Sequence, residues 1–228
     1  MINVTMNSPR LFSYKMNADT GFAPNPFFGM LTLATCKPEI RKCKHEGDWI
    51  AGFTSKELCN DPVGNERLIY LMQVSRKVPL AQYFFDREFE CKIPRVDAPQ
   101  ALQSAGDNIY RPVCADAAEP DDFEQIRNAN HWDKANDCPD LYSLRHDVPG
   151  RYILVAKQYA YFGGDPLFIP AEIRPQIPRG QSSHGYRTHD PIRANAFIDY
   201  VLTKAAGRKV LGAPHRWPRG DTSWQESL

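Results

Sequence analysis

Six short extended runs and a single long helical one limit what this chain can fold into. Residues 11–16 alternate apolar and polar side chains, as a half-buried strand does. Residues 30–35, 49–54, 67–74, 151–156 and 159–164 are rich in β-branched and aromatic side chains, which pack well on a pleated surface. The long helix begins at Asp190-Pro191, an N-cap followed by proline at the first helical position. It carries an apolar face of Ile192, Phe197, Tyr200 and Val201 and stops near Gly207. Pro38 opens a short helix through Arg41 and Cys43, and Pro79 opens another to Phe85. Strands and helices do not alternate, which argues against a doubly wound parallel sheet. The pattern predicts an α+β fold of five to seven strands in a curved, mostly antiparallel sheet or a small barrel, with two or three helices outside.

Residues 86–150 break this pattern. Pro94, Pro99, Pro112, Pro120, Pro139 and Pro149 punctuate a stretch without aliphatic periodicity, predicted as a loop-rich insertion with one or two short helices. Charge follows the same division. Residues 82–150 hold 7 basic and 14 acidic side chains, whereas residues 1–81 hold 10 and 7 and residues 151–228 hold 11 and 6. The net charge of +1 excludes a protein that coats nucleic acid indiscriminately, but allows one basic pocket. The expected organisation is one domain over residues 1–203 and a basic tail over 204–228, docked by Trp217 and Trp224. The acidic zone is a candidate surface for a protein partner.

No apolar run is long enough to span a membrane, and no apolar stretch follows a basic start, so neither an anchor nor a signal peptide is expected. The six cysteines form no C-x-x-C pair and show no metal-ligand spacing, which fits reduced thiols in a cytoplasmic protein. No metal site is predicted, and the cofactor is left open.

Phosphate-loop, dinucleotide, nucleophile-elbow and zinc-deaminase signatures are absent, so chemistry must lie in denser clusters. The first joins the rigid loop around Asn25 to Cys36, Lys37 and Arg41 at a strand-to-helix transition. There the two cations suit an anion, and Cys36 is a candidate nucleophile. The second is Asp107-Asn108 with Tyr110 and the preceding Lys92, able to hydrogen-bond a base edge or ribose, or simply to form an Asx turn. The third pairs Phe162-Gly163 with a Gly-flanked loop, residues 180–187, carrying His184 and Arg187. That combination suits aromatic stacking and proton transfer. His131 and His146 have poorer sequence contexts.

The strings GFAPNPFFGMLTLATCKPEIRKCKHEGDWIAGFTSK, LIYLMQVSRKVPLAQYFFD, GDNIY, YILVAKQYAYFGG and SSHGYR occur in that order between residues 11 and 202. Together they resemble the second of the "nucleotide modification associated domain" families, found in phages and bacteria near genes that modify DNA bases. The resemblance implies a role in making, handling or recognising modified nucleotides. Family-like positions are Asn25, Cys36, Lys37, Arg41, Asp48, Trp49, Lys92, Asp107, Asn108, Tyr110, Phe162, Gly163, His184 and Arg187. Ser183 stands where a glycine is expected before His184, and the acidic zone is largely unmatched. The G-D-W-I and L-I-Y-x-M-x-V strands also look like the base-reading small barrels related to the pseudouridine-synthase-associated (PUA) fold, an analogy of fold alone.

Three functions follow. An enzyme would use Cys36, Asp107 and His184 in catalysis, with Asn25, Lys37, Arg41, Trp49, Lys92, Asn108, Tyr110, Phe162, Gly163 and Arg187 binding a nucleotide or nucleic acid in one basic pocket. A reader would stack a flipped or modified base on Trp49, Tyr110 or Phe162 without turnover. A phage interaction protein would engage a host factor through the acidic zone.

Overall fold

The computed structural model describes residues 8–180 and 182–227. Residues 1–7 of the predicted domain, Gln181 of the third cluster and Leu228 of the predicted tail lie outside them.

Among the described residues there are twelve strands: β1 (Leu11–Lys15), β2 (Leu31–Leu33), β3 (Trp49–Phe53), β4 (Leu68–Gln73), β5 (Arg76–Pro79), β6 (Tyr110–Pro112), β7 (Phe123–Gln125), β8 (Trp132–Asp133), β9 (Cys138–Pro139), β10 (Tyr152–Ala156), β11 (Gln158–Tyr161) and β12 (Tyr186–Thr188). The helices are α1 (Pro38–Cys43), α2 (Lys56–Cys59), α3 (Leu80–Tyr83), α4 (Ala101–Ser104), α5 (Leu141–Asp147) and α6 (Pro191–Ala205). The main sheet has the order β11-β4-β3-β1-β12, and only its β1–β3 pair is parallel. A second, antiparallel sheet runs β2-β10-β5. Among the described residues the sheets do not close into a barrel, so the open-sheet form of the α+β prediction is the one observed.

The layers follow from which side chains each strand presents. On β3, Trp49, Ala51 and Phe53 join the core beneath α6, while Ile50 joins the core facing the second sheet. Both faces are covered, which is why the strands read as nearly unbroken apolar runs. Helix α6 begins where Asp190 accepts hydrogen bonds from the N–H groups of Ile192 and Arg193, and ends at Ala206 in a left-handed conformation. It buries Ala194, Phe197, Ile198 and Val201.

On its other side the second sheet meets the acidic zone. Phe89, Ile109, Tyr110, Phe123, Leu144 and Val148 pack with Ile153, Val155 and Val78 into a third core. The Pro-broken stretch is therefore a packed layer built from short hairpins, α4, α5 and tight turns. The C-terminal stretch is also docked. Trp217 lies 5.3 Å from the Phe27 ring, and Trp224 packs at the edge of two cores. No helix among the described residues is long and apolar enough to cross a membrane.

Candidate active site

A cleft of about 750 Å³ opens where the β2–α1 turn meets the acidic zone; Tyr14, Phe22, Cys36, Lys37, His131 and His146 are among the residues lining it. The chain leaves β2, places Cys36 at φ 53° and Lys37 at φ 40°, and enters α1 with Pro38 at the first turn. Two successive left-handed, non-glycine residues cost about 1–2 kcal/mol each. Such a turn persists because its surroundings fix it. The Cys36 N–H donates to Asp147 Oδ1 at 2.7 Å, and its carbonyl accepts from Arg41 Nε at 2.9 Å. Arg41 is completely buried and also donates to the carbonyls of Tyr152, at 3.1 Å, and Asp147.

Across the turn, His131 Nε2 lies 3.6 Å from Cys36 Sγ, and His131 Nδ1 lies 3.1 Å from Asp147 Oδ2, an ion-pair contact off the angle of a straight hydrogen bond. The imidazole is edge-on to Phe22, with ring centroids 4.9 Å apart. Its backbone is clamped by Asn128 Oδ1, which accepts the His131 N–H, and by Gln125 and Asn128, which donate to the His131 carbonyl. Asp147 closes the array from below: it also accepts from Tyr110 Oη at 2.8 Å and pairs with His146 Nδ1 at 3.1 Å.

Electrostatics agree with this arrangement. Burial opposes a charge on His131, but contact with Asp147 and Cys36 outweighs it and lifts the imidazole to about 10. Burial likewise opposes ionisation of Asp147; the two histidines and Arg41 reverse that and hold the carboxyl well below its ordinary value. Burial lowers Lys37, whose ammonium sits 5.1 Å above the Tyr14 ring.

The candidate residues divide by location. Cys36 and Lys37 line the cleft, while Arg41 and Tyr110 lie beneath it and hold Cys36 and Asp147. Asn25, Lys92, Asp107 and Asn108 form a separate buried knot. Lys92 Nζ donates to Asn25 Oδ1 (2.7 Å) and to the carbonyls of Asn25, Phe27 and Met30. Asp107 accepts from Thr32 (2.6 Å) and Tyr83 (2.8 Å), and Asn108 Nδ2 donates to the Tyr83 and Phe89 carbonyls. Trp49 and Phe162 are buried in the α6 core. Gly163 turns at φ 57°, where a Cβ would sit 2.2 Å from the Ala213 carbonyl oxygen. His184 is exposed near Glu39, and exposed Arg187 lies on β12. The single pocket expected for Cys36, Asp107 and His184 is therefore not formed. The imidazole at Cys36 belongs to His131, and the carboxylate behind it to Asp147. Local sequence gives one overlooked signal: Asp147 ends α5, where a negative charge opposes the helix dipole.

The molecule is thus an α+β protein with a cysteine–histidine–aspartate array on the wall of a cleft. The family model described as nucleotide modification associated domain 2 matches residues 8–221, acidic zone included, and the chain belongs to that family. No curated protein and no solved structure matches it. The family description associates it with nucleotide modification.

Proposed function

We propose that this protein is a thiol-dependent enzyme acting on a nucleotide, free or within a strand, in a nucleotide-modification process. The observation that carries this reading is the contiguous Cys36–His131–Asp147 array at a cleft of about 750 Å³, within the range typical of small-molecule sites. Against the cost of burial, contact with Asp147 and Cys36 keeps His131 protonated at neutral pH. Cys36 Sγ attacks an electrophilic ring carbon as the thiolate, and the pair of the broken π bond passes into the ring and is met by the proton of His131 Nε2. The proton goes back to His131 when the carbon–sulfur bond breaks; Asp147 fixes the imidazolium and balances its charge.

The Cys36 N–H is occupied by Asp147 Oδ1 and is not free to hold a carbonyl oxyanion. This favours attack on a base ring carbon, where the ring delocalises the developing charge, over simple amide hydrolysis. Lys37 and Arg216, both lining the cleft, are the candidate phosphate contacts.

The test is incubation with a nucleotide panel and with DNA carrying modified bases, followed by intact-protein and nucleoside mass spectrometry. Product, or an adduct on Cys36, is expected with the wild type and not with Cys36→Ser or His131→Gln. Turnover that survives Cys36→Ser sinks the thiol mechanism, and absence of both product and adduct across the panel sinks the enzyme reading. A second reading, a non-catalytic base reader, draws on the size of the cleft and on the cations at its wall. It predicts tight binding without turnover, unchanged in Cys36→Ser and weakened in Arg216→Ala.

A further inference from the structure

We propose that Glu39, Cys43 and His184 form a zinc site at the rim of the cleft. Glu39 and Cys43 stand at i and i+4 on α1 and so share one helix face. The third group comes from the loop before β12: His184 Nδ1 lies 3.8 Å from Glu39 Oε2, and one ligand atom from each of the three residues falls within 4.8 Å of the others. Around a tetrahedral zinc, ligand atoms are about 3.5 Å apart, given Zn–S near 2.3 Å and Zn–N near 2.0 Å. Closure therefore needs roughly an ångström of side-chain movement. Cys43 and His184 are exposed and have room for it.

The donor set identifies the ion. One sulfur, one imidazole nitrogen and one carboxylate oxygen suit zinc, whereas calcium and magnesium take oxygen. A carboxylate and a thiolate together neutralise the divalent charge. Three protein ligands leave a fourth position for water or an exogenous group. Glu39 also lines the cleft, as do Ser182 and Ser183 beside His184, so a bound ion would fasten one wall of the cleft to the helix that follows Cys36. The site does not depend on Cys36 being a nucleophile.

Cobalt(II), which reports thiolate ligation by an intense near-ultraviolet charge-transfer band, is the probe. The full chain is expected to bind one equivalent, displaceable by zinc, with reduced amide exchange over residues 182–185. Cys43→Ser, an exposed change checked for folding by circular dichroism, loses the band. His184→Ala and Glu39→Gln each weaken binding at least about tenfold, the lower end of the cost of disturbing even outer-shell partners. Cys36→Ser leaves the band intact. Absence of a band in the wild type, or its survival in Cys43→Ser, overturns the site. A band lost in Cys36→Ser but kept in Cys43→Ser overturns it too, and would make Cys36 a ligand rather than a free nucleophile.

Discussion

Two polar networks tie the early loops of this protein to its acidic zone, and they are built differently. In the knot, the Lys92 ammonium is surrounded by four oxygen acceptors and both Asp107 oxygens are engaged, with no part of it on the cleft wall. In the cleft array, Asp147 is as deeply buried, but its contacts lead outward to Cys36 and two histidines that line open space. The first network, apart from the unpartnered Asn108 Oδ1, closes on itself and fixes the loop around Asn25. The second stores left-handed backbone at Cys36 and Lys37 and presents reactive atoms. Buried polar residues alone do not mark a functional site; a polar network that is buried at one end and open at the other does.

The sharpest challenge to this contrast is Lys92→Met. It takes the cation from four oxygen acceptors, strands the Phe27 and Met30 carbonyls and leaves the buried Asp107 without a neighbouring positive charge, so a stability loss of about 3–5 kcal/mol is expected in urea unfolding. A loss under 1 kcal/mol would show that the knot is not structural.

His131→Gln strikes the other network. Turnover should fall by at least about 10²-fold, the lower end for a lost general acid–base, in the product assay. An unchanged rate would remove His131 from the chemistry.

The two networks should also answer pH in opposite directions. His131 is raised from 6.5 to about 10, so its contribution to stability is whole below pH 6.5 and is lost as pH rises towards 10. Burial lowers Lys92 from 10.5 to about 8 against the pull of Asp107, so the unfolded chain holds that proton more tightly and stability rises with pH from about 8 to 10.5. Between pH 6.5 and 8 His131 contributes a fall of at most about 1.4 kcal/mol per pH unit. Urea midpoints should fall more steeply with pH in the wild type than in His131→Gln. Equal slopes in the two proteins would refute the assignment.

The smallest effect belongs to Tyr110→Phe, which deletes one hydrogen bond to the ionised Asp147. A loss of about 1.5 kcal/mol is expected in thermal unfolding, with a few-fold drop in turnover at most.

Most of the scaffold was legible because its signals are local. Asp190-Pro191 starts α6, Pro38 starts α1, and the apolar runs at β3, β4 and β10 appear where expected. The site was legible only at Cys36 and Lys37. Its other members sit 95 and 111 residues further along, in a zone whose prolines erase periodicity, so no spacing rule connects His131 and Asp147 to Cys36. Lys92 and Asp107 have the residue chemistry of a binding site, and their burial is decided by Thr32, Tyr83 and the loop around Asn25, which a linear reading cannot bring together. The proposed zinc ligands show the same limit: Glu39 and Cys43 are a helical pair, and His184 joins them only through the fold.

Gly150, in the turn after α5, touches neither sulfur nor imidazole, yet a Cβ there would lie 2.6 Å from the Arg41 guanidinium. That guanidinium holds the carbonyls of Cys36 and Asp147 together. In a genetic screen, alanine at position 150 should therefore score with the null alleles of Cys36, although the altered residue makes no contact with whatever the cleft receives. A map of loss-of-function alleles would outline the support of the site as clearly as the site itself.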